Sequence, residues 1–269
     1  MKYIQKNDNE PQFLIDYRNT TEIGNQSKSH KDIWNSFTKL HGEDCWDILW
    51  KEQGGICAYC GSRIDNKDGN YTFDENRNEK GQKRREHLKP KSKAEYRNDI
   101  LSYFNLVAVC QGNSTKGVNK GKNNLHCDAR KDKDLIAIFP TDEDCEDFFE
   151  YEEVIENVEI FGTQQRIVVA IKIVGKNQDA RNTIVTLNLD YNFLRQRRNK
   201  YNVADVQIRN FLKRILKTDN RKEEQDKILI EELEKYVINI YQKSVLEECC
   251  FVTKFFIQKE IEDLKKLNT

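Results

Sequence analysis

Apolar residues recur at three- and four-residue spacings through Ile33, Trp34, Phe37 and Leu40, and again through Trp46, Leu49 and Trp50. That period predicts helices across most of residues 1–54, after a short extended start. Gly54 and Gly55 end the pattern, and the segment GGICAYCGSRI predicts a cysteine pair in a tight turn. Residues 62–82 are polar and rich in turn formers, with a short strand expected at Tyr71, Thr72 and Phe73. Residues 102–110, SYFNLVAVC, predict a strand; a Gly/Asn/Lys loop follows, and a helix is expected to begin near Cys127. Residues 135–139, LIAIF, and 165–174, QRIVVAIKIV, read as further strands. From Asp190 the period is helical again. Ile208, Phe211, Leu212 and Ile215 share one face, Leu229, Leu233 and Val237 another, and a last helix runs through Phe255, Phe256 and Ile261.

These elements give an α+β chain in three parts: an N-terminal helical arm over residues 1–54, a core of short strands and a helix over 55–135, and a strand-then-helix region over 136–269. The last is a natural docking surface for a partner. At 269 residues and 37% hydrophobic, the chain can bury a sizeable core.

Charge changes the picture only locally. Lys+Arg and Asp+Glu are 45 each, so net charge offers no argument for a nucleic-acid partner. Residues 83–97, however, carry seven cations (Lys83, Arg84, Arg85, Lys89, Lys91, Lys93, Arg97) against Glu86 and Glu95, a phosphate-attracting patch. Residues 134–159 carry eleven acids and no Lys or Arg, which excludes them as a DNA surface. The basic positions beyond Asp190, from Arg195 to Lys222, read as a solvated helix face, with phosphate binding the alternative. No run approaches the roughly 20 apolar residues of a membrane span, and the start lacks a signal-peptide pattern, so a cytoplasmic protein without a membrane partner is expected.

In a reducing compartment the eight cysteines are better read as metal ligands and buried small side chains than as disulfides. Cys57-Ala-Tyr-Cys60 can present two thiolates to one zinc ion. Cys110, at the end of a predicted strand, and Cys127, before a predicted helix, are the candidate second pair, although 16 residues separate them. Cys45, Cys145, Cys249 and Cys250 are assigned to packing.

Of the four histidines, His30, His41, His87 and His126, the last two stand among other chemical groups. Glu86-His87 inside the basic run joins a hard oxygen ligand for Mg²⁺ to a base with an unperturbed pKa near 6.5. Phosphodiester hydrolysis needs an activated water, charge neutralisation at phosphorus and stabilisation of the leaving oxygen, and one metal with one histidine can supply all three.

The order CAYC, EHLKPKS, NLVAVC, HCDARK resembles the HNH (ββα-metal) nucleases. In that family a first strand ends in Asp/Glu-His, a hairpin carries Asn, and a helix supplies the last metal ligand. The resemblance implies a ββα-metal core with structural zinc over residues 55–135, His87 as general base, Glu86 as ligand of a catalytic Mg²⁺ or Mn²⁺, and Asn105 as the residue that fixes the loop bearing the base. For the last ligand Asp128 is favoured, because Cys127-Asp128-Ala-Arg-Lys131 matches the family's Cys-(His/Asn/Asp)-x-x-Lys. His126 is the close competitor, and Asn113 fits a similar pattern but leaves Cys127 without a role. The inserted loop over 111–125 and the acid at 128 depart from the family. Arg84, Arg85, Lys89, Lys91 and Lys131 are the expected nucleic-acid contacts.

Further segments, MKYIQKNDNEPQFL, EQGGICAYCGSRI, HCDARKDKD and TIVTLNLDYNFLRQRR, are similar to the HNH endonucleases of retron and Septu anti-phage systems, the PtuB-like proteins. That resemblance implies an ABC/SMC-like ATPase of the PtuA type as partner; Gly-x-x-x-x-Gly-Lys-Ser/Thr is absent from this chain. DNA is the expected substrate, with RNA such as tRNA the alternative. A non-catalytic zinc-stabilised module that binds nucleic acid or scaffolds the ATPase is the competing reading.

Overall fold

The structure is a computed structural model that describes residues 1–20, 28–64, 84–113, 121–160, 163–215 and 222–267. The expected strand at Tyr71, Thr72 and Phe73, and Lys83 of the basic run, lie outside these residues. The chain is mixed α and β, with two small antiparallel sheets, and divides into two compact units. One comprises Met1–Phe149 with Gly175–Tyr191, the other Glu150–Val174 with Asn192–Thr269. The N-terminal helices therefore belong to the same unit as residues 55–135.

In the first unit, helix α1 (Gln12–Thr20) precedes the long helix α2 (His30–Glu52). Ser29 caps α2 by accepting from the Asp32 amide, and Ile33, Trp34, Phe37, Cys45, Trp46 and Leu49 form its buried stripe. Gly54 and Gly55, both in the left-handed region (φ 62° and 73°), turn the chain out of the helix as the sequence led us to expect.

Strand β1 (Arg84–His87) pairs antiparallel with β2 (Leu106–Val109), with Glu86 opposite Val107 and His87 opposite Leu106. All four residues of β2 are buried, and it packs on α2. The strand expected over 102–110 is shorter than its composition suggested, because residues 103–105 form a single 3₁₀ turn. Helix α3 (Cys127–Lys131) begins where expected.

Residues 135–139 are not a strand. Ile136 and Ile138 are buried, but the Ile138 amide donates to Thr183 Oγ1 (3.2 Å) and the Phe139 amide to Asp142 Oδ2 (2.8 Å), so side chains satisfy the backbone where a neighbouring strand would have done so. Thr183 lies on helix α4 (Gln178–Leu187), an element the hydrophobic pattern did not reveal; Asn177 caps it, and it packs on α3.

In the second unit, most of β3 (Phe149–Ile160) and β4 (Thr163–Gly175) form a two-stranded ribbon. Helices α5 (Asn192–Tyr201), α6 (Ala204–Ile215), α7 (Lys222–Ile240) and α8 (Cys250–Leu267) follow. Ile215, Leu229, Leu233, Ile257 and Ile261 form their core, flanked by Ile208, Phe211, Leu212 and Val237, close to the faces read from the sequence. The basic stretch is not uniformly solvated. Arg197 pairs with Glu248, and Arg198 is buried with Nε donating to the Ile171 carbonyl at 2.9 Å. Among the described residues no helix is long and apolar enough to cross a membrane.

Candidate metal centre and cleft

Cys57 and Cys60 sit on a tight turn. The Gly61 amide donates to the Cys57 carbonyl (3.0 Å), the Cys57 amide to the Ser62 carbonyl (2.8 Å), and Gly61 has φ 70°. The turn is fastened to β2 by a residue the sequence did not single out. Gln53, 1% exposed, donates to the carbonyls of Ile56 and Ala108 and accepts from the Ala108 amide at 2.7 Å. Cys110 follows β2 directly. Cys127 is brought to it by Gly112, whose carbonyl accepts from the His126 amide at 3.0 Å. A Cβ at Gly112 would lie 2.0 Å from the His126 oxygen, so only glycine permits this approach.

The result is four buried thiols with all sulfurs within 4.8 Å of one another. Cys57 and Cys127 sulfurs are 3.9 Å apart, and Cys60 and Cys110 sulfurs 3.8 Å. A tetrahedron with Zn–S bonds of about 2.3 Å has edges of about 3.8 Å. Donor type and spacing therefore fit a metal ion such as zinc. Burial pushes the Cys110 and Cys127 thiols up; it opposes ionisation of Cys60 as well, yet hydrogen bonds from Cys110, Cys127 and Cys57 hold that thiol well below its ordinary value. His126 is fully buried, with Nδ1 3.2 Å from the Cys127 sulfur and 3.9 Å from that of Cys110. Its ring belongs to the thiol cluster.

Beyond that cluster lies a cleft of about 420 Å³, lined among others by Arg84, Glu86, His87, Lys91 and Asp128. Glu86 and His87 come from the end of β1, Asp128 from the first turn of α3. His126 and Asn113, the alternatives to Asp128, do not line it. Arg84 Nη1 donates to Asp128 Oδ2 at 2.9 Å. Burial, then the neighbouring charge of Asp128, pushes the Glu86 pKa up to about 8 despite a 2.6 Å ion pair with Lys131. Two carboxylates so disposed disfavour being charged together, which a divalent cation relieves. Three or more ligand side chains reach metal-binding spacing only at the four cysteines among the described residues, so the cleft offers a carboxylate pair beside an imidazole and no closed cage.

His87 is 2% exposed, with Trp34 edge-on at 4.3 Å. Its Nε2 donates to the Ile100 carbonyl at 3.0 Å. Asn105 fixes the segment between: Oδ1 accepts from the Lys89 amide (2.7 Å), and Nδ2 donates to the carbonyls of Lys89 and Asp99 (3.2 and 2.9 Å).

No protein-family model matches the chain. Comparison with curated proteins likewise finds no match. The arrangement of side chains therefore carries the functional argument.

Of the expected nucleic-acid contacts, Arg84 and Lys91 line the cleft, and Lys91 Nζ lies 5.8 Å from the Trp34 ring centre. Lys89 is 3.3 Å from Asp99. Arg85 instead donates to the Gly42 carbonyl at 2.8 Å. Lys131 needs correcting: it is 0% exposed and donates to Glu86 Oε1 (2.6 Å) and the His87 carbonyl (2.9 Å), so it cannot reach a phosphate from where it lies.

Proposed function

We propose that the chain is a metal-dependent endonuclease of the HNH, ββα-metal type that hydrolyses phosphodiester bonds of nucleic acid, DNA foremost. The observation that carries this reading is the convergence on one cleft of Glu86 and His87, from a strand end, with Asp128, from a helix start beside the four-thiol centre. Following the resemblance of its sequence, we assign it as the effector of an anti-phage system, acting in the cytoplasm beside an ABC/SMC-like ATPase.

His87 commits its Nε2 proton to the Ile100 carbonyl. Its Nδ1 lone pair is then the group that takes a proton from the attacking water. Glu86 and Asp128 are the residues that would hold Mg²⁺ or Mn²⁺, which when bound stabilises charge on the phosphate and the departing 3′ oxygen. Arg84 and Lys91 attract the backbone at the cleft. Asn105 keeps the 88–99 segment, and with it the Ile100 carbonyl, in register with the imidazole. Products with 5′ phosphate and 3′ hydroxyl ends are expected from the family's chemistry.

The non-catalytic alternative, in which Arg84, Arg85, Lys89 and Lys91 grip phosphates, leaves the carboxylate pair and the oriented imidazole without a task, and one of its gripping residues, Arg85, bonds to the protein itself. Digests of plasmid DNA, single-stranded DNA and tRNA with Mg²⁺ or Mn²⁺, and with EDTA as control, separate the readings. EDTA-sensitive cutting of at least one substrate supports the nuclease; binding without cutting by zinc-loaded protein supports the alternative.

A further inference from the structure

Lys131 ends α3, and its side chain is wholly buried. A lysine is almost never fully buried unless paired, since removing an ammonium from water is costly. An apolar side chain of similar length would fill the space without that cost. What the ammonium adds is two bonds, and both end on β1: one on the Glu86 carboxylate and one on the His87 backbone carbonyl. These are the two β1 residues that bring an acid and an imidazole to the cleft. At its other end α3 is tied down by Cys127 in the thiol cluster, and Asp128 follows immediately. A single five-residue helix thus joins a zinc-type ligand, a cleft carboxylate and a cationic pin.

We infer that Lys131 is a positioning residue: it fixes one oxygen of Glu86 and the end of β1 against α3, so that the other Glu86 oxygen and Asp128 are held at the spacing a divalent cation needs. This rests on the reading of Glu86 and Asp128 as the cation-binding pair. Outer partners of metal ligands typically change metal affinity or activity by roughly 10- to 100-fold.

The test is Lys131→Met in the full chain, with Mn²⁺ binding measured by calorimetry and cleavage measured beside it. Retained fold and zinc content, Mn²⁺ affinity lowered by roughly 10- to 100-fold, and a lower kcat with KM for nucleic acid unchanged are expected. Wild-type Mn²⁺ affinity and kcat in the folded variant overturn the inference. A raised KM at unchanged kcat also overturns it, because that pattern marks a phosphate contact. Should the variant not fold, ¹⁵N-lysine spectra of the wild type serve instead: the Lys131 Nζ resonance is expected to shift when Mg²⁺ is added, and an unmoved resonance overturns the inference. Wild-type protein that binds no Mn²⁺, or binds it equally well as Glu86→Ala, defeats the carboxylate-pair reading itself, an outcome distinct from failure of the lysine alone.

Discussion

His87 Nε2 lies 3.0 Å from the carbonyl oxygen of Ile100, while Nδ1 of the same ring has no hydrogen-bond partner among the described residues. One bond therefore sets the tautomer. Loss of a general base typically costs about 10²–10⁴-fold in rate. His87→Ala is expected to show at least that loss in a single-turnover cleavage assay while keeping zinc content and helical signal. Ile100 acts through its backbone, so Ile100→Val is expected to cut at near the wild-type rate in the same assay.

The protonation of that ring bears on the same role, because a general base works best with a pKa near the operating pH and burial in the metal-free cleft takes this ring below it. Burial first, and the charge of Lys91 second, lower the His87 pKa to about 3. An unfolded chain takes up this proton near pH 6.5, whereas the folded protein resists it until near pH 3. The contribution to stability is thus complete above the unfolded value and is lost as pH falls toward the folded one. Imidazole ¹⁵N spectra of the metal-free cleft are expected to show a neutral Nε2–H ring from about pH 8 down to about pH 5. An imidazolium signal for His87 at pH 6 contradicts the burial argument.

The four-thiol centre contributes folding free energy when loaded. Metal analysis is expected to give one zinc per chain. Cys57→Ser or Cys60→Ser is expected to lose that zinc and the cooperative unfolding transition, whereas Cys145→Ser, outside the cluster, keeps its zinc.

Asn105→Ala removes three hydrogen bonds from a side chain that is 5% exposed. At about 0.5–1.5 kcal/mol each, the loss is about 1.5–4.5 kcal/mol. Denaturant melts are expected to show it, together with reduced cleavage, because the segment carrying the Ile100 carbonyl is released.

Gly112→Ala places a methyl 2.0 Å from the His126 carbonyl oxygen, at a φ of 60°. It is expected to weaken zinc retention, measured as faster release to a chelator, by parting the Cys110 and Cys127 segments.

The sequence made Cys57, Cys60, Glu86 and His87 legible because their chemistry is written in neighbouring positions. Asn105 could be named through the resemblance alone; its three bonds to Lys89 and Asp99 depend on how the chain folds back. Lys131 could be named through the resemblance alone, as a nucleic-acid contact, and nothing local shows that it faces a carboxylate 45 positions away. Gln53 left no chemical signal, since its role depends on reaching backbone groups of β2. Gly112 did leave one, a glycine two residues after a candidate ligand, which only the close approach to His126 explains. Residues 135–139 show the opposite failure: a sound strand pattern whose amides found side-chain partners.

Single-turnover cleavage by zinc-loaded wild type and His87→Ala, each with Mn²⁺ and with EDTA, tests the central claim most directly. The account predicts rapid cutting by the wild type with Mn²⁺ and a loss of at least about 10²-fold in the variant and under EDTA. Equal cutting by both proteins, or cutting indifferent to the chelator, would contradict it.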